Sequence, residues 1–75
     1  MSATLAELNL EEFAAWLRRR GYAEGTVRVL LSKLRKLRRC EDPEAFAEGR
    51  KSAKQRKEYR YALRLAREFF EAEGR

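Results

Sequence analysis

The 75-residue chain has no histidine, one cysteine, one proline and four glycines. Without histidine it lacks the commonest general base and the commonest neutral metal ligand, so we expect no catalytic constellation, no metal and no cofactor. The scattered glycines form no phosphate-binding loop. Cys40 is alone, which excludes an intramolecular disulfide and favours an intracellular protein.

Long apolar runs are also missing. No segment approaches the roughly 18 residues of a membrane span, and the first residues lack the basic-then-apolar layout of a signal peptide. We therefore expect a cytoplasmic, nucleoid-associated protein with no membrane partner. The length allows a single domain, residues 1–75, with a small core.

Basic residues are abundant and segregated, with 18 lysines and arginines against 12 acids. Residues 18–39 carry nine of them, opposed only by Glu24, for a local charge of +8. Residues 50–67 carry eight more, opposed only by Glu58, for a local charge of +7. Segregated positive charge is typical of proteins that bind a polyanion, most often nucleic acid.

Signals for helix ends predict an all-α protein, a compact four-helix bundle with one short helix. Asn9, Asp42 and Ser52 are residues that favour the N-cap of a helix, and Gly21 and Gly74 are suited to follow a last turn. Valine and isoleucine are scarce, and no segment alternates with the period of a strand. The predicted helices cover residues 10–20, 24–39, 43–48 and 53–73.

Apolar residues recur with helical spacing and predict the core. Trp16, Phe13, Phe69 and Phe70 fall on these stripes, so we expect them in the core and not as base-stacking platforms. The remaining stripe positions are Leu10, Leu17, Val27, Leu30, Leu31, Leu34, Leu37, Tyr59, Ala62, Leu63 and Ala66.

The polar faces of the second and fourth helices carry the candidate DNA contacts. Few acids interrupt these faces, so a merely solvated surface is the weaker interpretation. Arginine can bind a phosphate in a bidentate way or read a guanine edge, and the sequence leaves both uses open. Thr26 either donates a hydroxyl to a phosphate or helps to cap its helix. The candidates are Thr26, Arg28, Ser32, Arg35, Lys36, Arg39, Lys51, Lys54, Arg56, Lys57, Arg60 and Arg64.

Three segments resemble the core-binding, SAM-like N-terminal domain of the tyrosine recombinase (phage integrase) family. They are Phe13-Ala14-Ala15-Trp16-Leu17 with Arg20-Gly21-Tyr22, then Ala23-Glu24-Gly25-Thr26-Val27-Arg28 with Leu31 and Leu34-Arg35, and finally Ser52-Ala53-Lys54-Gln55-Arg56 with Leu63 and Ala66-Arg67-Glu68-Phe69-Phe70. The chain departs from the family pattern at Ala23, where a serine cap is common, and at Leu30, where tyrosine is common.

The resemblance implies half of a clamp around double-stranded DNA, used in site-specific DNA recombination or integration. In that family a separate C-terminal domain cuts and rejoins the strands, and its catalytic residues are not found in this chain. The expected partners are duplex DNA and a catalytic domain or other recombinase subunits. Whether the chain is a fragment or a stand-alone binding protein stays open.

Other functions are compatible with the same charge. A helical module could dock an acidic partner or a catalytic domain, with Tyr61 and Leu65 as exposed contacts because both lie off the main apolar stripe. RNA binding is weaker because the chain has no RNP-like aromatic strand or KH-type loop, and a membrane surface is weaker still. If the chain binds duplex DNA, we further expect the two basic faces to lie side by side as one cradle.

Overall fold

The computed structural model describes residues 5–73. After a 3₁₀ turn at Leu5–Glu7 come four helices: α1 at Leu10–Arg19, α2 at Glu24–Arg38, α3 at Pro43–Glu48 and α4 at Ala53–Ala72. The all-helical prediction is confirmed for this part of the chain, and each predicted boundary falls within one residue of the observed one. Gly74, the predicted stop of the last helix, lies outside the described residues.

The predicted caps form. Asn9 Oδ1 accepts hydrogen bonds from two backbone amides of the first turn of α1, at 3.0 and 3.1 Å. Asp42 Oδ1 caps α3 at 3.1 Å, and Ser52 Oγ caps α4 at 3.4 Å. Gly21 has a φ of +90°, the left-handed value that glycine tolerates best after a helix. Ala23 precedes α2 as its N-cap residue and provides no side-chain hydrogen bond.

Most of the predicted stripe residues are buried in the core, and Leu10 and Leu31 are half-buried against it. Phe13, Trp16 and Phe69 form an aromatic cluster between α1 and α4, with ring centroids 5.5 to 5.8 Å apart. All three rings are buried, which confirms the prediction that they belong to the core. Phe70 is half-buried against the same core.

The expectation that Leu65 is exposed is wrong, because the structure leaves only 1% of this residue accessible. The physical reason is that α4 packs against α1, α2 and α3 together, so its buried face is wider than one stripe. Tyr61 is half-buried, and its hydroxyl lies 2.8 Å from that of Tyr22. Leu65, one of the two proposed partner contacts, is therefore a core residue.

The molecule is flat, with Cα extents of 32 × 31 × 16 Å. Because α4 lies in the middle of the packing, α2 has one face against α4 and α1 and the opposite face free. None of the helices described over residues 5–73 is both long and apolar enough to cross a lipid bilayer.

Candidate nucleic-acid interface

The outer face of α2 holds the strongest set of predicted contacts. All five of its members are exposed: Arg28, Ser32, Arg35, Lys36 and Arg39. Within residues 5–73, the side chains of the basic members form no salt bridge and no hydrogen bond. This face therefore keeps its positive charge available to an external anion.

The one acid of α2 is held by α1. Glu24 accepts from Arg18 through both carboxylate oxygens, at 2.6 and 3.1 Å. The hydrogen bonds from Arg18 are the main cause that lowers the pKa of Glu24, and the charge of Arg28 lowers it further. Because both carboxylate oxygens accept hydrogen bonds from Arg18, Arg28 interacts with Glu24 through its charge and not through a hydrogen bond. Thr26 is exposed near the start of α2.

The arginine stripe of α4 differs from the outer face of α2 because its members have acidic partners. The stripe consists of Arg60, Arg64 and Arg67. Arg60 donates to both carboxylate oxygens of Glu48 on α3, at 2.7 and 2.6 Å. Arg67 pairs with Glu44 of α3, and Arg64 lies 3.7 Å from Glu68 one turn further along α4. These pairs are exposed, and carboxylates of the protein itself offset the charge of the stripe.

The carboxylates of α3 belong to the site, although the sequence reasoning missed them. Glu44 and Glu48 are four residues apart and share one side of α3, while Arg60 and Arg67 are seven apart and share one side of α4. The matching spacings are a signal that could have predicted the pairs. The hydrogen bond from Arg60 is the main cause that lowers the pKa of Glu48.

The predicted contacts at the start of α4 divide into two groups. Lys51, Lys54 and Lys57 are exposed, without a salt bridge to any residue of the described range. Arg56 is half-buried and donates to the backbone carbonyls of Arg50 at 2.7 Å and Lys51 at 3.3 Å. Nη1 of its guanidinium therefore holds the loop before α4.

The contact between α2 and α4 bears on the expected cradle. Lys33 of α2 marks the contact with α4, because its Nζ lies 3.3 Å from Glu58 and 4.7 Å from the ring centroid of Tyr59. At about 100° per residue, Arg35 lies roughly 160° around α2 from Lys33, and Arg60 lies roughly 160° around α4 from Glu58. These two arginines therefore lie far around their helices from this ion pair, whereas Lys54, four residues before Glu58, lies on its side of α4. The single cradle stays a prediction.

Comparison with protein-family models, with curated proteins and with solved structures gave no match to this chain. Function is therefore inferred from the residues of the chain. Among them, the outer face of α2 combines the highest exposed charge with the fewest internal partners.

Proposed function

We propose that this chain binds duplex DNA, with the outer face of α2 as its principal contact. The observation that carries the proposal is the row of unpaired basic side chains along that face. Its basic side chains form no salt bridge with the described residues, so binding to phosphates would release counterions without first breaking internal salt bridges.

The dimensions of α2 suit a groove of DNA. From Arg28 to Arg39 the helix rises roughly 16 Å, at about 1.5 Å per residue. The major groove of B-DNA is about 12 Å wide and admits an α-helix. The two ends of the row could therefore contact phosphates on both sides of the groove, with Ser32 and Arg35 between them.

The chemistry of the row supports mixed contacts. A guanidinium can bind a phosphate through two parallel hydrogen bonds, or the O6 and N7 atoms of guanine in the same way. Phosphate contacts fix the position of the helix and contribute most of the affinity, and base contacts add modest specificity. Arg28 and Arg39 suit the first role, since they end the row, and Arg35 is placed for either role.

The biological context of the proposal comes from the family resemblance. A four-helix domain that grips DNA without cutting it corresponds to the core-binding, SAM-like half of a tyrosine recombinase. Recombination or integration would then need a separate catalytic domain to supply the strand-cutting residues. This chain would contribute affinity and placement on the DNA, and no chemical step.

A titration of a fluorescent duplex at several salt concentrations tests the proposal. Three or four phosphate contacts predict a log-log slope of roughly −3, at about −0.9 per phosphate neutralised. The double variant Arg35→Gln/Arg39→Gln should bind more weakly and with a shallower slope. A wild-type protein that does not bind at low salt, or binds without salt dependence, would contradict the proposal.

A matched control is available on α4. The double variant Arg60→Gln/Arg67→Gln removes the same charge from side chains that are already paired with α3. It should weaken binding less than the α2 variant does. Equal losses would show only a dependence on net charge and would exclude α2 as the principal contact.

A further inference from the structure

A cleft borders the outer face of α2 on the side of α1. It has a volume of about 410 Å³ and is lined by Leu10, Arg35, Arg38 and Arg39. Three of its four lining residues are therefore arginines, and all three are exposed. We call this feature the arginine cleft.

Local geometry explains why the three arginines meet. Positions 35, 38 and 39 are three and four residues apart, so their side chains share one edge of α2. α1 packs against α2, and its first residue, Leu10, is half-buried and supplies the apolar wall. The wall is continuous with the core, which gives the cleft a fixed side.

No carboxylate of the described residues forms a salt bridge with these three guanidinium groups. The acids Glu11 and Glu12 directly follow Leu10, yet they do not approach the arginines within pairing distance. The last turn of a helix favours cations, which accounts for positive charge at the end of α2. The helix end does not account for three unpaired arginines around one cleft.

We infer that the arginine cleft is a phosphate-binding site, with Arg38 as a contact residue outside the predicted row. The inference rests on the proposed DNA function and deepens it. Its ligand is a phosphodiester group of the duplex, held by guanidinium groups that can each donate two hydrogen bonds. The DNA backbone then leans from α2 toward the start of α1, on the side of α2 away from its contact with α4.

The variant Arg38→Gln tests the site, with Arg19→Gln as its matched control. Arg19 is also exposed and near a helix end, it has no salt bridge within residues 5–73, and its replacement changes the charge equally. In duplex titrations, Arg38→Gln should make the log-log salt slope shallower by about 0.9, the loss of one phosphate contact. Arg19→Gln should leave the slope unchanged. Thermal unfolding of both variants should be measured to check that they fold.

A second measurement separates this inference from the proposed function. Titration with pyrophosphate, followed by the NMR signals of the arginine Nε–H groups, should shift those of Arg35, Arg38 and Arg39 but not that of Arg19. Duplex binding with equal slopes for the two variants would overturn the cleft and leave the α2 proposal standing. Pyrophosphate shifts without any duplex binding would keep the cleft as an anion site and overturn the DNA function. An absence of shifts at all three arginines would overturn the cleft.

Discussion

Replacing Leu65 by alanine should strongly destabilise the fold. The residue is 1% exposed on the face of α4 that meets its neighbours. Leucine-to-alanine changes in a core cost about 2–5 kcal/mol, from lost transfer free energy and the cavity that remains. A chain of this length has a stability of roughly 4–11 kcal/mol, at about 0.05–0.15 kcal/mol per residue. The substitution should therefore remove a large share of the free energy of unfolding.

Urea unfolding followed by tryptophan fluorescence measures this loss. Trp16 is the one tryptophan of the chain, it is 6% exposed, and its ring packs on those of Phe13 and Phe69. Its emission therefore reports on the core directly. In a thermal scan the same loss should lower the midpoint by about 4–8 °C per kcal/mol.

Val29→Ala is the control because Val29 is 49% exposed on α2. Exposed substitutions of this kind usually change stability by less than about 0.5 kcal/mol. If Leu65→Ala changes the unfolding free energy as little as Val29→Ala does, Leu65 is not a core residue. The sequence-based expectation of an exposed partner contact would then be restored, and the packing of α4 described above would be refuted.

Two further predictions concern charge and pH. The variant Glu44→Gln/Glu48→Gln should tighten duplex binding and steepen its salt slope, because it frees the arginines of α4. The equally charged variant Glu11→Gln/Glu12→Gln should do so less in the same titration. Equal gains would mean that the α3 pairs do not restrain the α4 arginines. The hydrogen bond with Tyr22, and then burial, raise the pKa of Tyr61. The protonated hydroxyl therefore stabilises the fold below the unfolded-state pKa of about 10. This contribution is lost as pH rises through the folded-state pKa. Tyr61→Phe should therefore flatten the fall in urea midpoint above about pH 10, and an unchanged fall would contradict the role of this hydroxyl.

The features that the sequence predicted well are local ones. The caps at Asn9, Asp42 and Ser52 depend on a side chain and an amide two or three residues away, so the pattern of residue types is sufficient. The stop at Gly21 depends only on its own backbone angle. The position of Leu65 depended instead on how many neighbours α4 has. A helical wheel drawn for one helix gives the direction of a stripe but not the width of the surface that covers it.

The charge pattern shows the same difference between local and tertiary information. Residues 50–67 form a basic block along the chain, yet in the fold Arg60 meets Glu48, 12 residues earlier, and Arg67 meets Glu44, 23 residues earlier. The acids of α3 were separate in sequence and become adjacent only when α3 packs on α4. In α2 the outcome is opposite because its single acid, Glu24, is taken by Arg18. Two blocks that look alike in sequence thus differ in space. The arginines on the outer face of α2 are unpaired because α1 supplies an arginine to Glu24, whereas Arg60 and Arg67 of α4 are paired because α3 supplies the acids.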